Sequence, residues 1–155
     1  MIFKVLTAMA LFVVFSGCGK DDPEKIAEKD RETILKYLRD NEIEATEHDS
    51  GIFFNITREG SGGYPTIAST VQITYVGTIL GGKQDGKVFD TGFSSSLRLQ
   101  NTIRGWQFGI PLFNRGSKGF LIIPSGLAYG QYPPYFMGIP QNAILIFEIE
   151  LEDFQ

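Results

Sequence analysis

The chain has 155 residues, a length that predicts one domain with a single core, and 43% of them are apolar, with 13 phenylalanines to house. The formal net charge is −4 and basic residues do not cluster, which argues against a phosphate backbone as partner, so no nucleic acid is expected. One cysteine, Cys18, and one histidine, His48, exclude an internal disulfide, a zinc site and a Cys/His or Ser/His catalytic pair; no metal or cofactor is implied.

Lys4 precedes an apolar run from Val5 to Phe15 that only Thr7 interrupts. As a helix this run is about 16 Å long, too short for a hydrocarbon core of about 30 Å. With Ser16 and Gly17 behind it, residues 1–17 read as a secretory signal peptide cleaved before Cys18, which removes Lys4 and takes the net charge to −5. The segment Phe15-Ser16-Gly17-Cys18 resembles a bacterial lipobox, implying diacylglyceryl on the Cys18 sulfur and a membrane anchor. The alternative is a small residue at an ordinary cleavage site. Lys20-Asp21-Asp22 resembles the signal that sends some Gram-negative lipoproteins to the outer face of the outer membrane, or is simply a solvated charged tether. The expected location is the Gram-negative cell envelope, anchored in the outer membrane, with the periplasmic or surface face left open.

Asp22 before Pro23 predicts a helix start, and residues 24–40 carry Ile34, Leu35 and Leu38 as a small apolar stripe, with Glu32 and Lys36 spaced for an ion pair. So short a stripe predicts weak docking. Residues 18–49 therefore read as acylated cysteine, tether and a spacer helix that lifts the domain from the membrane.

From Gly51 the period becomes two: Ile52, Phe54 and Ile56, then, after a break at residues 59–65, Val71, Ile73 and Tyr75 alternating with Thr70, Gln72 and Thr74. Residues 81–86 supply a glycine-rich turn. Trp106, Phe108 and Ile110 suit a short buried helix that Pro111 helps to end. Phe120 to Ile123 reads as a strand of unassigned faces, residues 125–142 as a long loop, and Leu145, Phe147, Ile149 and Leu151 as one apolar face opposite Glu148, Glu150 and Glu152. The fold class is α+β, an antiparallel sheet with a short helix packed on it, preceded by the spacer helix.

Five segments appear in order: Val71-Gln72-Ile73-Thr74-Tyr75-Val76-Gly77, Gly86-Lys87-Val88-Phe89-Asp90, Ile103-Arg104-Gly105-Trp106, Ile123-Pro124-Ser125-Gly126-Leu127-Ala128-Tyr129-Gly130, and Ile139-Pro140-Gln141-Asn142-Ala143 through Leu151. Over residues 50–155 the chain resembles the FKBP family of peptidyl-prolyl cis/trans isomerases. The resemblance implies an antiparallel sheet wrapped around a short helix and a proline-binding pocket lined by Tyr75, Phe89, Asp90, Ile103, Trp106, Tyr129 and Phe147, with Trp106 as its floor. It further implies that the Ile103 N–H and the Tyr129 hydroxyl hydrogen-bond the substrate or a macrolide inhibitor, and that Asp90 forms the polar edge. Leu97 and Thr102 fall at pocket positions where the family commonly has Phe and Val, and Tyr135 or Phe136 falls at an aromatic loop position near the mouth.

The expected partners are proline-containing polypeptides, and the expected activity is rotation about Xaa-Pro bonds in exported or surface proteins, assisting their folding. The departures at Leu97 and Thr102 motivate an alternative: a chaperone or assembly module that binds proline segments with weak turnover. Signal, spacer helix and single domain together are similar to lipid-anchored FKBP proteins associated with gliding motility.

Overall fold

The computed structural model describes residues 22–155; the expected signal peptide, Cys18 and the first residues of the expected tether lie outside the described residues. Among the described residues no helix is long and apolar enough to cross a membrane. The Asp22 carboxylate accepts the Glu24 N–H at 3.1 Å and so caps helix α1 (Pro23–Asp40), while Pro23 at the first helical position brings no N–H to leave unpaired. Lys36 pairs with Asp40, one turn ahead, and not with Glu32 as its spacing had suggested.

Six strands follow: β1 (Thr46–Glu47), β2 (Phe53–Arg58), β3 (Thr70–Leu80), β4 (Val88–Arg98), β5 (Lys118–Ile123) and β6 (Ile144–Phe154). They form one antiparallel sheet in the order β1-β2-β5-β6-β3-β4. The alternation in β6 is realised as read: Leu145, Phe147, Ile149 and Leu151 are buried on the inner face. Val71 and Ile73 of β3 and Leu121 and Ile123 of β5 join them. Over this face lies α2 (Arg104–Gly109), continued by a single 3-10 turn (Ile110–Leu112). Two glycines let it lie directly on β5: a Cβ at Gly105 would come within 2.3 Å of the Ile123 side chain, and one at Gly109 within 2.5 Å of Leu121. Trp106 and Ile110 point into the core as expected, but Phe108 is exposed and its ring instead meets the Arg104 guanidinium at 5.7 Å. So short a helix has only one inward stripe, and residues 105, 106, 109 and 110 fill it.

The expectation of weak docking for α1 is corrected. Ile34 and Leu38 are buried against Phe53, Leu80, Ile122 and Ile144 on the outer face of the sheet. Fully burying a side chain of this size contributes about 1.5–3 kcal/mol, so two of them make a firm attachment. The consecutive apolar residues of β5 now divide cleanly: Leu121 and Ile123 face α2, and Phe120 and Ile122 face α1. Arg31 adds a two-pronged ion pair to Glu47 of β1, with both N···O distances 2.7 Å.

A second tie is polar and buried. Asp30 Oδ2 accepts the Ser125 N–H at 2.8 Å and the Ser125 hydroxyl at 2.6 Å, joining α1 to the loop after β5. Burial pushes the Asp30 carboxyl above its ordinary value of 3.8, against the opposing pull of the Ser125 hydrogen bonds and of Lys29. A carboxyl that holds its proton more tightly folded than unfolded penalises the fold above its folded pKa, and the penalty is relieved as pH falls through that value towards the unfolded one. Urea unfolding followed from about pH 7 to about pH 4 should therefore show the wild type gaining stability relative to Asp30→Asn as the solution is acidified. A difference that stays constant or moves the other way contradicts the assignment.

Candidate functional site

Four elements each deliver one aromatic ring to the same place: Tyr75 from β3, Phe89 from β4, Phe147 from β6 and Trp106 from α2. The indole stands edge-on to Tyr75 at 4.9 Å and to Phe147 at 5.2 Å, and Phe89 stands edge-on to Phe147 at 5.6 Å. Tyr75 and Phe147 are 6.1 Å apart and tilted. Such contacts contribute about 0.5–1.5 kcal/mol each beyond the area they bury, so the rings hold one another in place.

Missing side chains make room for them. Gly77 lies in register with Asp90 on one side and Phe147 on the other, and a Cβ there would meet Phe89 at 2.8 Å and Phe147 at 2.9 Å. Gly92 lies opposite Tyr75, and a Cβ there would come within 2.3 Å of the phenol ring. Neither glycine was singled out from the sequence for this role, although Gly77 closes the first of the five segments.

Asp90 supplies a polar edge, since Oδ2 accepts the Tyr75 hydroxyl at 3.0 Å. Burial, and then the hydrogen bond and charge of Asp90, push the Tyr75 phenol up to about 12. Tyr129 is likewise raised, first by burial and then by the Asp90 charge. Both phenols are therefore protonated at neutral pH and able to donate. Tyr75 spends its proton on Asp90, whereas the Tyr129 hydroxyl has no hydrogen-bond partner among the described residues.

Ile103 precedes α2 in extended backbone, with φ −62° and ψ 151°. Its carbonyl accepts the N–H groups of Trp106 and Gln107, while its own N–H bonds no described residue. Trp106 Nε1 is the one buried side-chain polar atom without a partner among the described residues.

The remaining candidates divide. Leu97 sits opposite Val71 and packs on the inner core, four residues along β3 from Tyr75, or about 13 Å. It shares that core with Trp106 and Phe147. Thr102 turns its hydroxyl back onto the Leu99 carbonyl at 2.7 Å and shapes the approach to α2. Tyr135 and Phe136 are fully solvent-exposed on a 3-10 turn and touch none of the four rings. Two clefts of about 660 and 690 Å³ flank α1 and lie apart from this cluster.

Filling the space at Gly77 is a direct test of the geometry. Gly77→Ala should keep the far-ultraviolet spectrum of the fold, cost about 1–3 kcal/mol in urea unfolding, and shift the ring proton resonances of Phe89 and Phe147. Unmoved ring resonances would show that the two phenylalanines do not meet over residue 77.

Comparison with known proteins bears on the same residues. The family model for FKBP-type peptidyl-prolyl cis-trans isomerases matches residues 62–152. FkpA of Escherichia coli strain K12, itself named an FKBP-type peptidyl-prolyl cis-trans isomerase, is 32% identical over 125 residues, covering 81% of this chain and 45% of the relative. The chain thus spans about half the length of the curated relatives it matches. A crystal structure of a peptidyl-prolyl cis-trans isomerase from Pseudomonas syringae superimposes with a TM-score of 0.72 at 29% identity, over 88% of this chain and 99% of that one. The crystal structure of Escherichia coli FkpA gives a TM-score of 0.69 at 32% identity, over 85% of this chain and 62% of that one. By sequence and by fold, this chain belongs to the FKBP-type peptidyl-prolyl cis-trans isomerase family.

Proposed function

We propose that the protein is an active peptidyl-prolyl cis/trans isomerase whose site is the four-ring cluster with Asp90, Tyr129 and the Ile103 N–H on its rim. The observation that carries this reading is the meeting of Tyr75, Phe89, Trp106 and Phe147 beside a carboxylate and two unspent donors. Rotation about an Xaa-Pro bond meets a barrier of about 18–20 kcal/mol because the planar amide is stabilised by resonance. No bond is broken, so no nucleophile is needed.

In the twisted transition state the resonance is lost and charge separation falls, so an apolar aromatic surface disfavours the planar amide more than the twisted one. Differential binding of this kind is sufficient for catalysis. An acceleration of about 10⁴ to 10⁶ requires about 5.5–8 kcal/mol of it. Trp106 and its three neighbours supply the desolvated seat for the proline ring. On this reading the Ile103 N–H and the Tyr129 hydroxyl hold carbonyl oxygens of the substrate and fix which bond turns, and Asp90 keeps Tyr75 oriented.

Relaxation of an Xaa-Pro peptide from cis to trans, with micromolar full-length protein in mild detergent, should be accelerated. Asp90→Ala and Tyr129→Phe should each lose roughly tenfold or more while keeping the folded spectrum. No acceleration by the wild type removes the enzyme reading, and peptide binding without acceleration supports the alternative of a proline-segment-binding chaperone or assembly module. Macrolide binding belongs to the same site and the same proposal.

The address is a proposal of its own: residues 1–17 as signal peptide, acylation at Cys18, and an outer-membrane lipoprotein with its isomerase domain over residues 50–155 acting on exported or surface proteins, gliding motility included. The lipobox-like segment before Cys18 supports it. Cys18→Ala should shift the protein out of the membrane fraction, and unchanged fractionation would overturn lipidation at that residue.

A further inference from the structure

The buried bond between Asp30 and Ser125 leads into the rim of the site. Ser125 opens the 3-10 turn Ser125–Leu127 immediately before Ala128, Tyr129 and Gly130. Its carbonyl accepts the Ala128 N–H at 3.0 Å and the Gly130 N–H at 2.9 Å, so one oxygen holds the residues on both sides of Tyr129. The far end is tied as well, because the Gly130 carbonyl accepts the Asn142 N–H at 2.8 Å, two residues before β6 begins. Asp30 therefore fixes a residue that itself brackets Tyr129, and it does so across 95 residues of sequence from the outer face of the sheet.

We infer that Asp30 of α1 is a positioning residue for the isomerase site: by accepting both Ser125 donors it sets the turn that aims the Tyr129 hydroxyl at substrate. The inference rests on the functional reading above for its kinetic consequence and on the hydrogen-bond chain alone for its structural one.

The chemistry explains why the residue is an acid. At position 30 an apolar side chain would pack against the same surroundings as Ile34 and Leu38 without burying a charge. It would also leave the Ser125 N–H and hydroxyl buried without an acceptor, and donors in that state pull a turn towards water. A carboxylate oxygen satisfies both. Of the charged groups around it, Lys29 lies on its own helix, and Lys25 and Lys83 share the adjoining cleft.

The test compares Asp30→Leu, which keeps the branched shape and removes the acceptor, with Asp30→Asn, whose amide oxygen can still accept. In full-length protein in mild detergent, Asp30→Leu should lower kcat/KM for an Xaa-Pro peptide by about tenfold, mostly in kcat, and Asp30→Asn should stay within about threefold of wild type. Amide hydrogen exchange at Ala128 and Gly130 should accelerate in Asp30→Leu and be restored in Asp30→Asn, with the β3 and β6 amides unchanged as the check that the fold persists. Should the wild type not accelerate the peptide, the isomerase reading fails, and the exchange pattern alone still decides whether Asp30 holds the turn. Equal kcat/KM and equal exchange in Asp30→Leu and wild type would overturn the inference. So would equal losses in the leucine and asparagine variants, because charge and not hydrogen-bond acceptance would then be responsible.

Discussion

The site depends on one close approach on β3. β3 is paired on both sides, with β4 and with β6, and at Gly77 both neighbours place an aromatic ring where a side chain would otherwise stand. The backbone of β3 thereby becomes the bed on which Phe89 and Phe147 lie, and the Trp106 indole closes against Phe147. Each ring is anchored in a different element. The cluster is therefore as rigid as the tertiary structure itself and does not rely on the stiffness of any one loop.

That rigidity suits a reaction in which nothing is transferred. An acid or base can be carried on a mobile loop and still act on arrival, but an apolar surface acts only while it excludes water from one face of the amide. The polar groups follow the same logic. Tyr75 is locked to Asp90, so the carboxylate is occupied and oriented before substrate arrives, and the donors that remain unspent are the Tyr129 hydroxyl and the Ile103 N–H at the rim and Trp106 Nε1 within the cluster. A site with few free hydrogen-bonding groups distinguishes a planar from a twisted amide better than one lined with dipoles, which would stabilise the planar form as water does.

Much of this was legible in the sequence, and the failures have physical causes. β3 and β6 were readable because each has one apolar face, and Trp106 because it opens a short apolar segment that Pro111 helps to end. β4 was not read as an eleven-residue strand: it lies at the sheet edge, carries the polar run Ser94-Ser95-Ser96, and is bulged where Ser94 takes up a φ of 46°. That bulge is held by side chains, with the Ser94 N–H donating to Thr74 Oγ1 and its hydroxyl to Glu152, a pairing between residues no periodicity connects. The docking of α1 was underestimated because its stripe is short and the matching surface is scattered over β2, β3, β5 and β6. Gly77 was visible as a letter but not as a space, since what it admits arrives from residues 89 and 147.

The outer face shows how the rest of the chain serves the inner one. A helix docking only to hide apolar surface would be better served by another leucine than by Asp30, whose desolvation raises its carboxyl pKa and works against the fold at neutral pH. The acid is intelligible once its partners are counted, because two donors of one serine converge on a single oxygen and that serine's carbonyl holds the chain on both sides of Tyr129. Ile34 and Leu38 fix where α1 lies, and this in turn fixes where the carboxylate stands. The apolar contacts supply the attachment, and the buried charge supplies the register between helix and turn, a division of labour that follows from hydrophobic burial being non-directional and hydrogen bonds being directional.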